Sequence, residues 1–242
     1  MKWCVDYIDE NINELKYTLI ELFKNIDKIL NESCDNFIDN QILDQQLNIL
    51  ISKKLIEFLD IPIISRVSTY YERSYIYWLI NPINTTSINH TINISLIYGD
   101  SPYIGSIYIA NKKYMYFVKR FSSPEYISII SNYKIKLNSH LKKLEDEKLN
   151  IVVNNRFKNP KRINMFNIPN IMYSNSVLAI LLIICNKKDM VFNQNEQCEW
   201  DVAPLDIILN EAGGRVRDLD GNLLKYNSEK FKVKNVWACC KF

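Results

Sequence analysis

The stretch Glu199-Trp200-Asp201-Val202-Ala203-Pro204-Leu205-Asp206 decides the fold of this 242-residue chain. Beyond Trp200-Asp201, apolar residues recur at helical spacing, and Gly213-Gly214 follows where a helix would end in a left-handed residue. The pattern predicts a helix with Asp201 in its first turn, where the exposed backbone N–H groups and the helix dipole favour a carboxylate. Such a carboxylate either caps the helix or holds a cation shared with a phosphate. The apolar positions are Val202, Leu205, Ile208, Leu209 and Ala212.

The segments around this helix are similar to the C-terminal signature of the inositol monophosphatase family. Trp200-Asp201 precedes the helix, and Glu211-Ala212-Gly213-Gly214, a predicted strand and Asp218-Leu219-Asp220-Gly221 follow it. Residues 221–227 most resemble the CysQ-type members, the 3'(2'),5'-bisphosphate nucleotidases. The resemblance covers about residues 38–238.

This resemblance implies a fold as well as a chemistry. The family has an α/β fold, a two-lobed layered α-β-α-β-α sandwich. We therefore expect an N-terminal α+β lobe over residues 1–149, with the metal-site motif, and a C-terminal α/β lobe over residues 150–242, with the Trp-Asp motif. The family's members are magnesium-dependent phosphomonoesterases, so the resemblance also implies a phosphorylated small molecule as partner, either a nucleotide bisphosphate or an inositol phosphate.

Bulk composition excludes several other classes of protein. The 30 basic and 27 acidic residues give a net charge of +3, too small to indicate a nucleic acid polymer as partner. No apolar run is long enough to span a membrane, and charges in the first ten residues argue against a signal peptide. The six cysteines lack metal-binding spacing and are typical of reduced thiols. We expect a cytoplasmic protein without a membrane partner.

Periodicity predicts the order of the elements. Residues 5–29 and 44–59 carry apolar side chains at helical spacing, which predicts two amphipathic helices. Short strands follow, and then an antiparallel meander. Residues 126–149 are predicted to be irregular. The predicted strands are residues 61–65, 75–80, 91–98, 103–110, 114–118, 151–153 and 232–238.

The family places its metal site at the ends of its first two strands, and here the chain departs from the family. Arg66 stands where the first Glu of a Glu pair belongs, and Asn81 and Asn84 replace two Asp. Of the four carboxylates that hold the first two metals, Asp201 is the sole retained ligand. Because Mg²⁺ needs anionic oxygen ligands, we expect magnesium binding to be weak or absent.

Two further positions concern water and phosphate. By resemblance, Asp44 and Thr86 would position the attacking water, although the Thr that accompanies this Asp in the family is Gln41 here. Asp44 is equally well explained as an N-cap or first-turn residue of its helix. Thr85 replaces a Gly whose backbone lets the phosphate approach closely.

The substitutions also change the charge of the pocket. Relative to the family, Arg66, Asn81 and Asn84 together add about +4, which is the charge that two magnesium ions bring. A metal-free pocket of this kind would suit a phosphate dianion held by Arg66, Thr86 and backbone N–H groups, with Thr85 beside it. The alternative is drift in a gene released from selection for catalysis.

Two residues of the second lobe are further candidates for substrate binding. Arg156 lies in a basic stretch that resembles the CysQ-type segment near the substrate's second phosphate, and a guanidinium binds phosphate bidentately. A solvated loop would explain the same stretch. Ser174 stands where the family has a Gly before a helix that faces the substrate, and helix capping alone would also explain it.

Three functions follow from these residues. The first is an inactive or strongly impaired phosphatase that retains a phosphate or phosphonucleotide pocket. The second is an active magnesium-dependent 3'(2'),5'-bisphosphate nucleotidase or inositol-phosphate phosphomonoesterase with a rebuilt metal site. The third is a structural role, as a homodimer or as the partner of another protein.

Overall fold

Four layers, helix, sheet, helix and sheet, are formed by the residues that the structure describes. One face of the larger sheet packs on the N-terminal helices, and its other face packs on a central helix that also contacts the smaller sheet. This confirms the predicted layered α/β class. The computed structural model describes residues 2–36, 39–68, 72–85, 90–137, 150–153, 170–174, 179–185, 187–193, 195–233 and 236–240.

The predicted helix over residues 5–29 is in fact two helices, separated at Asn11. The Asn11 side chain donates a hydrogen bond of 2.8 Å to the carbonyl of Tyr7, which also accepts from the Asn11 backbone N–H. Asn favours such local side-chain bonds over continued helix. The two helices that Asn11 separates are α1 (Lys2–Glu10) and α2 (Ile12–Asn36).

No helix in the described part of the chain has the length and apolar content needed to cross a bilayer.

Helix α3 (Asn40–Phe58) begins four residues earlier than the sequence predicted. Its N-cap is Asp39, whose side chain accepts a hydrogen bond of 2.6 Å from the backbone N–H of Gln41. Asp44 therefore lies beyond the first turn, on the buried face of α3. The capping explanation of Asp44 is wrong, because Asp39 is the N-cap and Asp44 is the fifth residue of the helix.

The larger sheet has seven strands in the sequential order β1 to β7. Strands β1 and β2 are parallel and the others are antiparallel, which confirms the predicted meander. Strands β6 and β7 fall in the segment predicted to be irregular, because their alternation is too short to be recognised in the sequence. The strands are β1 (Ile63–Ser65), β2 (Ile76–Thr85), β3 (His90–Tyr98), β4 (Ser101–Ile109), β5 (Tyr114–Lys119), β6 (Glu125–Ser128) and β7 (Lys134–Lys136).

The smaller sheet has five strands in the order β12-β14-β10-β8-β9, and β11 and β13 form a separate pair. Strand β8 runs parallel to both neighbours, whereas β14 runs antiparallel to β10 and β12. The predicted final strand is divided between β13 and β14. The bounds are β8 (Asn150–Val153), β9 (Asn170–Tyr173), β10 (Met190–Asn193), β11 (Gln197–Cys198), β12 (Arg215–Arg217), β13 (Lys232–Val233) and β14 (Val236–Cys239).

In the described part of the chain, two helices occupy the layer between the sheets, α4 (Ile180–Ile184) and α5 (Glu199–Glu211). The prediction for α5 is confirmed: it starts just before Asp201, and Gly213 follows it with a left-handed φ of 94°. Val202, Leu205 and Leu209 are fully buried in the core that joins both sheets. Burial of this helix on all sides makes it the centre of the fold.

Gly105 on β4 allows α5 to lie directly against the larger sheet. A Cβ added at Gly105 would lie 2.4 Å from Ile207 Cγ2 and 3.1 Å from the Pro204 carbonyl oxygen. A side chain there would force the helix away from the sheet, since the Pro204 contact is with backbone rather than with a flexible side chain.

We expect Gly105→Ala to lower the free energy of unfolding by about 1–3 kcal/mol through this overpacking. The measurement is urea unfolding at equilibrium. Ser106→Ala is the matched control on the same strand, because the buried Ser106 Oγ makes no hydrogen bond within the described residues and its loss costs little. Equal destabilisation by both variants would contradict the close packing of α5 on β4.

Two buried carboxylates on α5 connect the helix to the C-terminal segment. Glu199 accepts hydrogen bonds of 2.9 Å from the backbone N–H groups of Asn227 and Ser228. Asp206 accepts a bond of 2.7 Å from the Tyr226 hydroxyl and another from the Asn210 side chain. Burial raises the pKa of Asp206 to about 6, against the lowering effect of these two bonds and of nearby arginines.

This raised pKa predicts a pH dependence of stability. Between about pH 4 and pH 6 the folded chain keeps a proton on Asp206 that the unfolded chain has lost, so the free energy of unfolding decreases as the pH rises. Across that window the Asp206→Asn variant should lose roughly 2–3 kcal/mol less of its free energy of unfolding than the wild type, as measured by urea unfolding. Asp60→Asn, which removes an exposed carboxylate, is the control. An unchanged slope in Asp206→Asn would show that Asp206 ionises normally in the folded protein.

Candidate functional site

A cavity of about 490 Å³ lies where the ends of β1 and β2 meet the N-terminal turns of α3 and α5. It brings together five residues that the sequence analysis selected from four separate segments. A cavity of this size is within the range of small-ligand sites. The residues that line it are Asn40, Gln41, Asp44, Arg66, Asn81, Ile83, Asn84 and Asp201.

Strand pairing places Arg66 beside Asn81. Ser65 pairs with Ile80 at the parallel ends of β1 and β2, and the Arg66 backbone N–H donates 3.1 Å to the Ile80 carbonyl. The register of β2 against β3 then shifts between Asn81 and Asn84. Such a bulge redirects the side chains of its strand, and here both Asn side chains reach the same cavity.

The Arg66 guanidinium connects α3 to β2. Its Nε donates to Asn81 Oδ1 at 2.8 Å, and its Nη2 donates both to Asp44 Oδ2 and, at 3.1 Å, to the Ile83 carbonyl oxygen. The Arg66 side chain is 37% exposed, and its Nη1 makes no hydrogen bond to any residue that the structure describes. Arg66 is therefore anchored on one side and open to the cavity on the other.

Asp201 is held by two asparagines of β2, Asn81 and Asn84. Asp201 Oδ1 accepts a hydrogen bond of 2.7 Å from Asn81 Nδ2 and one of 3.2 Å from Asn84 Nδ2. The orientation of the Asn81 amide follows from its partners, since its oxygen faces the Arg66 donor and its nitrogen faces the Asp201 acceptor. A continuous network thus joins Asp44, Arg66, Asn81, Asp201 and Asn84.

The two carboxylates of this network are costly to ionise. Burial raises the pKa of Asp201, and the hydrogen bond from Asn81 and the charge of Arg66 oppose that rise. Burial also raises the pKa of Asp44, and Arg66 again opposes the rise. The Oδ1 atom of Asp44 is buried without a hydrogen bond from any described residue. Since a buried carboxylate oxygen needs a donor, this atom is suited to a ligand hydroxyl or to water.

These residues do not form the donor set that Mg²⁺ requires. A guanidinium, which repels a cation, lies between Asp44 and Asn81, and the Asn81 oxygen is already bonded to it. The Asn81 and Asn84 groups that face Asp201 are N–H donors, whereas Mg²⁺ coordinates oxygen. Among the described residues, no three His, Cys, Asp or Glu side chains group closely enough to hold a metal ion.

The other predicted site residues are not part of this described cluster. Thr85 is the last residue of β2, but its side chain, Thr86 and Arg156 lie outside what the structure describes, so their predicted roles stay predictions. Ser174 directly follows β9, and its backbone N–H donates 2.9 Å to the Val153 carbonyl. It is not among the described residues that line the cavity.

The sequence analysis missed three contributors to the site. Asn40 lines the cavity from the first turn of α3, and only its position beside Gln41 could have indicated it. Ile83 contributes its backbone carbonyl, and the identity of a side chain does not indicate where the carbonyl of that residue points. Lys232 lowers the pKa of Asp201 and donates 3.2 Å to Cys198 Sγ, but β13 reaches this position only through the tertiary fold.

The ion pair between Arg66 and Asp44 predicts a measurable coupling. We expect Arg66→Gln to lower the free energy of unfolding by about 1–3 kcal/mol, because it leaves the Asp44 carboxylate buried without its cation. Asp44→Asn in the same chain should recover much of that loss. The measurement is a double-mutant cycle by urea unfolding, which isolates the pairwise energy. Strictly additive effects would show that the two side chains do not interact in solution.

Comparison with known proteins relates this geometry to one family. The sequence profile described as "Inositol monophosphatase family" matches residues 68–239. A comparison with curated protein sequences finds no match.

Several solved structures have the same fold at low sequence identity. CysQ from Bacteroides thetaiotaomicron, a bacterial member of the inositol monophosphatase family, is 20% identical, with 83% of this chain and 84% of that chain covered and a TM-score of 0.64. Inositol monophosphatase-II from Staphylococcus aureus MSSA476 is 14% identical, with 94% and 89% covered and a TM-score of 0.74. SaIMPase-II with inositol monophosphate bound is 14% identical, with 95% and 88% covered and a TM-score of 0.73.

Proposed function

Because this chain belongs to the inositol monophosphatase family, we propose that it binds a phosphorylated small molecule without hydrolysing it by the family's magnesium-dependent chemistry. The observation that carries the proposal is the network in which Arg66 joins Asp44 and Asn81, and Asn81 joins Asp201. In this network the guanidinium supplies positive charge and the two amides supply hydrogen-bond donors. Without these groups the neighbouring carboxylates would need cations to offset their charge.

The impaired chemistry follows from what these side chains are bonded to. A divalent metal would supply an acidified water as nucleophile and charge stabilisation for the phosphoryl group. Asp44, the residue expected to orient that water, instead accepts from Arg66 through Oδ2. The loss of a single preorganised electrostatic contact costs roughly 10²–10³ in rate, so the loss of the metals would reduce turnover by several orders of magnitude.

Three features support retention of a phosphate pocket. Arg66 lines the cavity, its Nη1 makes no hydrogen bond to a described residue, and a guanidinium is a strong donor to phosphate oxygens. The cavity of about 490 Å³ is large enough for a sugar or inositol phosphate. The SaIMPase-II structure with bound inositol monophosphate shows that a protein of this fold takes such a ligand.

The two carboxylates are compatible with an anionic ligand only if their charge is compensated. Arg66 compensates Asp44, while Asn81, Asn84 and Lys232 act on Asp201. Because burial already raises the pKa of both carboxyls, a bound phosphate would favour uptake of a proton at one of them.

The free thiols of the described cysteines fit a reducing compartment, and we place the protein in the cytoplasm.

The catalytic half of the proposal is tested by phosphate release. Adenosine 3',5'-bisphosphate and inositol monophosphate are incubated at high protein concentration, with and without magnesium, beside an Asp201→Asn control. We expect no release above the control, since the pocket lacks the ligands to hold the metal. Magnesium-dependent turnover that Asp201→Asn abolishes would overturn this half and would establish an active phosphomonoesterase with a rebuilt site.

The binding half is tested by calorimetry with the same two compounds in the presence of EDTA. We expect one of them to bind, and Arg66→Gln to weaken binding about 10- to 100-fold through loss of a charge-assisted hydrogen bond. Lys53→Gln removes an exposed cation from α3 and should leave binding unchanged. If neither compound binds to the wild-type protein, the pocket does not serve phosphorylated ligands of these two types, and a structural role is favoured.

A further inference from the structure

A second cleft lies at the opposite end of α5 from Asp201. Its volume is about 450 Å³, similar to the 490 Å³ of the first cavity. Asp206 and Asn210 line it, and Asn210 is nine residues beyond Asp201. Asp206, the lining residue nearest to Asp201 on the helix, is five residues beyond it, which is roughly 7.5 Å at 1.5 Å per residue. The described residues that line the two cavities are all different.

Three arginines, Arg120, Arg215 and Arg217, line this cleft together with two carboxylates, Asp206 and Glu211. Arg217 Nη1 donates to Asn210 Oδ1 at 3.1 Å and to its neighbour's carbonyl, the Val216 oxygen, at 2.6 Å. Arg120 donates to the Pro102 carbonyl and lies 5.5 Å from the centre of the Tyr103 ring. These two guanidinium groups are therefore held in place by neighbouring backbone and side chains.

Arg215 differs from the other two arginines. Its backbone pairs with Cys239 in the sheet, but its side chain is exposed at the cleft and makes no hydrogen bond or ion pair to any residue in the described part of the chain. On the floor, the carboxylate of Asp206 is already engaged by Asn210 and Tyr226. A guanidinium that borders a cavity with all its donors available is suited to an anionic group on a ligand.

The rim of the cleft is apolar and locally strained. Phe121 is 90% exposed and has a φ of 62°, in the left-handed region that bulky residues rarely adopt. Leu223, also on the rim, is 65% exposed. Both features are unfavourable in the free protein, and non-glycine residues with such backbone conformations concentrate at functional sites.

We propose that this cleft binds a small organic anion, with its apolar group between Phe121 and Leu223 and its acidic group on Arg215. The acidic group is a carboxylate, a sulfonate or a phosphate, which share the geometry that a guanidinium recognises. The site is separate from the phosphate pocket, and it does not depend on the function proposed there.

A simpler explanation accounts for the arginines alone. Strand β12 is at the edge of its sheet, and Arg215 and Arg217 alternate with the buried Val216. Charged side chains on an edge strand prevent pairing with other chains. That explanation requires no cavity and no exposed Phe121, and it predicts no saturable binding.

The experiment titrates the full chain with 8-anilinonaphthalene-1-sulfonate, a fluorescent aromatic anion without a phosphate. We expect one saturable site, with affinity reduced about tenfold or more in Arg215→Gln because a charge-assisted bond is lost. Arg73→Gln, which removes another exposed arginine, should bind the dye as the wild type does. Benzenesulfonate should displace the dye, whereas the neutral benzenesulfonamide should not.

Phe121→Gly separates a ligand contact from a purely structural role. Gly adopts a positive φ without strain, so the variant should unfold at a urea concentration no lower than the wild type while binding the dye more weakly. Non-saturable binding, or equal affinity in Arg215→Gln, Phe121→Gly and the wild type, would overturn the proposal and favour the edge-strand explanation.

Discussion

Helix α5 is buried between two sheets, and the rest of the structure depends on that constraint. Its contact with β4 is possible because Gly105 has no side chain where Pro204 and Ile207 approach. A helix enclosed on all sides must satisfy its own polar residues inside the protein. Glu199 does so with backbone N–H groups of the C-terminal segment, and Asp206 with Tyr226. The helix thereby fixes both the C-terminal segment and the two cavities at its ends.

The first cavity shows how a buried charge cluster can be neutralised within the chain. Asp44 and Asp201 line the same cavity, which is unfavourable for two carboxylates unless positive charge or donors lie between them. Arg66 supplies positive charge beside Asp44. Asn81 accepts a hydrogen bond from Arg66 and donates one to Asp201, so it links the guanidinium to the second carboxylate. Arg66, Asn81 and Asn84 form one connected arrangement with the two carboxylates, which supports the proposed pocket.

Sequence patterns identified the meander and the start of α5, because both depend on apolar periodicity and turn residues that are local, whereas the layered class followed from the resemblance to the inositol monophosphatase family. They failed where local signals are weak. The break at Asn11 depends on one side-chain hydrogen bond to Tyr7. Strand β7 is three residues long and exposed, so its alternation is too short to recognise. Asp44 was open to a capping explanation until Asp39 was seen to cap α3.

The sequence by itself determined the chemistry available at the candidate site: one carboxylate on α5, two amides on β2 and a guanidinium after β1. These are properties of side chains and do not depend on the fold. Only the tertiary structure decided which group faces which. The pairs Asp44 with Arg66 and Asn81 with Asp201 are separated by 22 and 120 residues. Their contacts depend on strand register, the bulge in β2 and the position of α5, and these are set by packing across the whole chain.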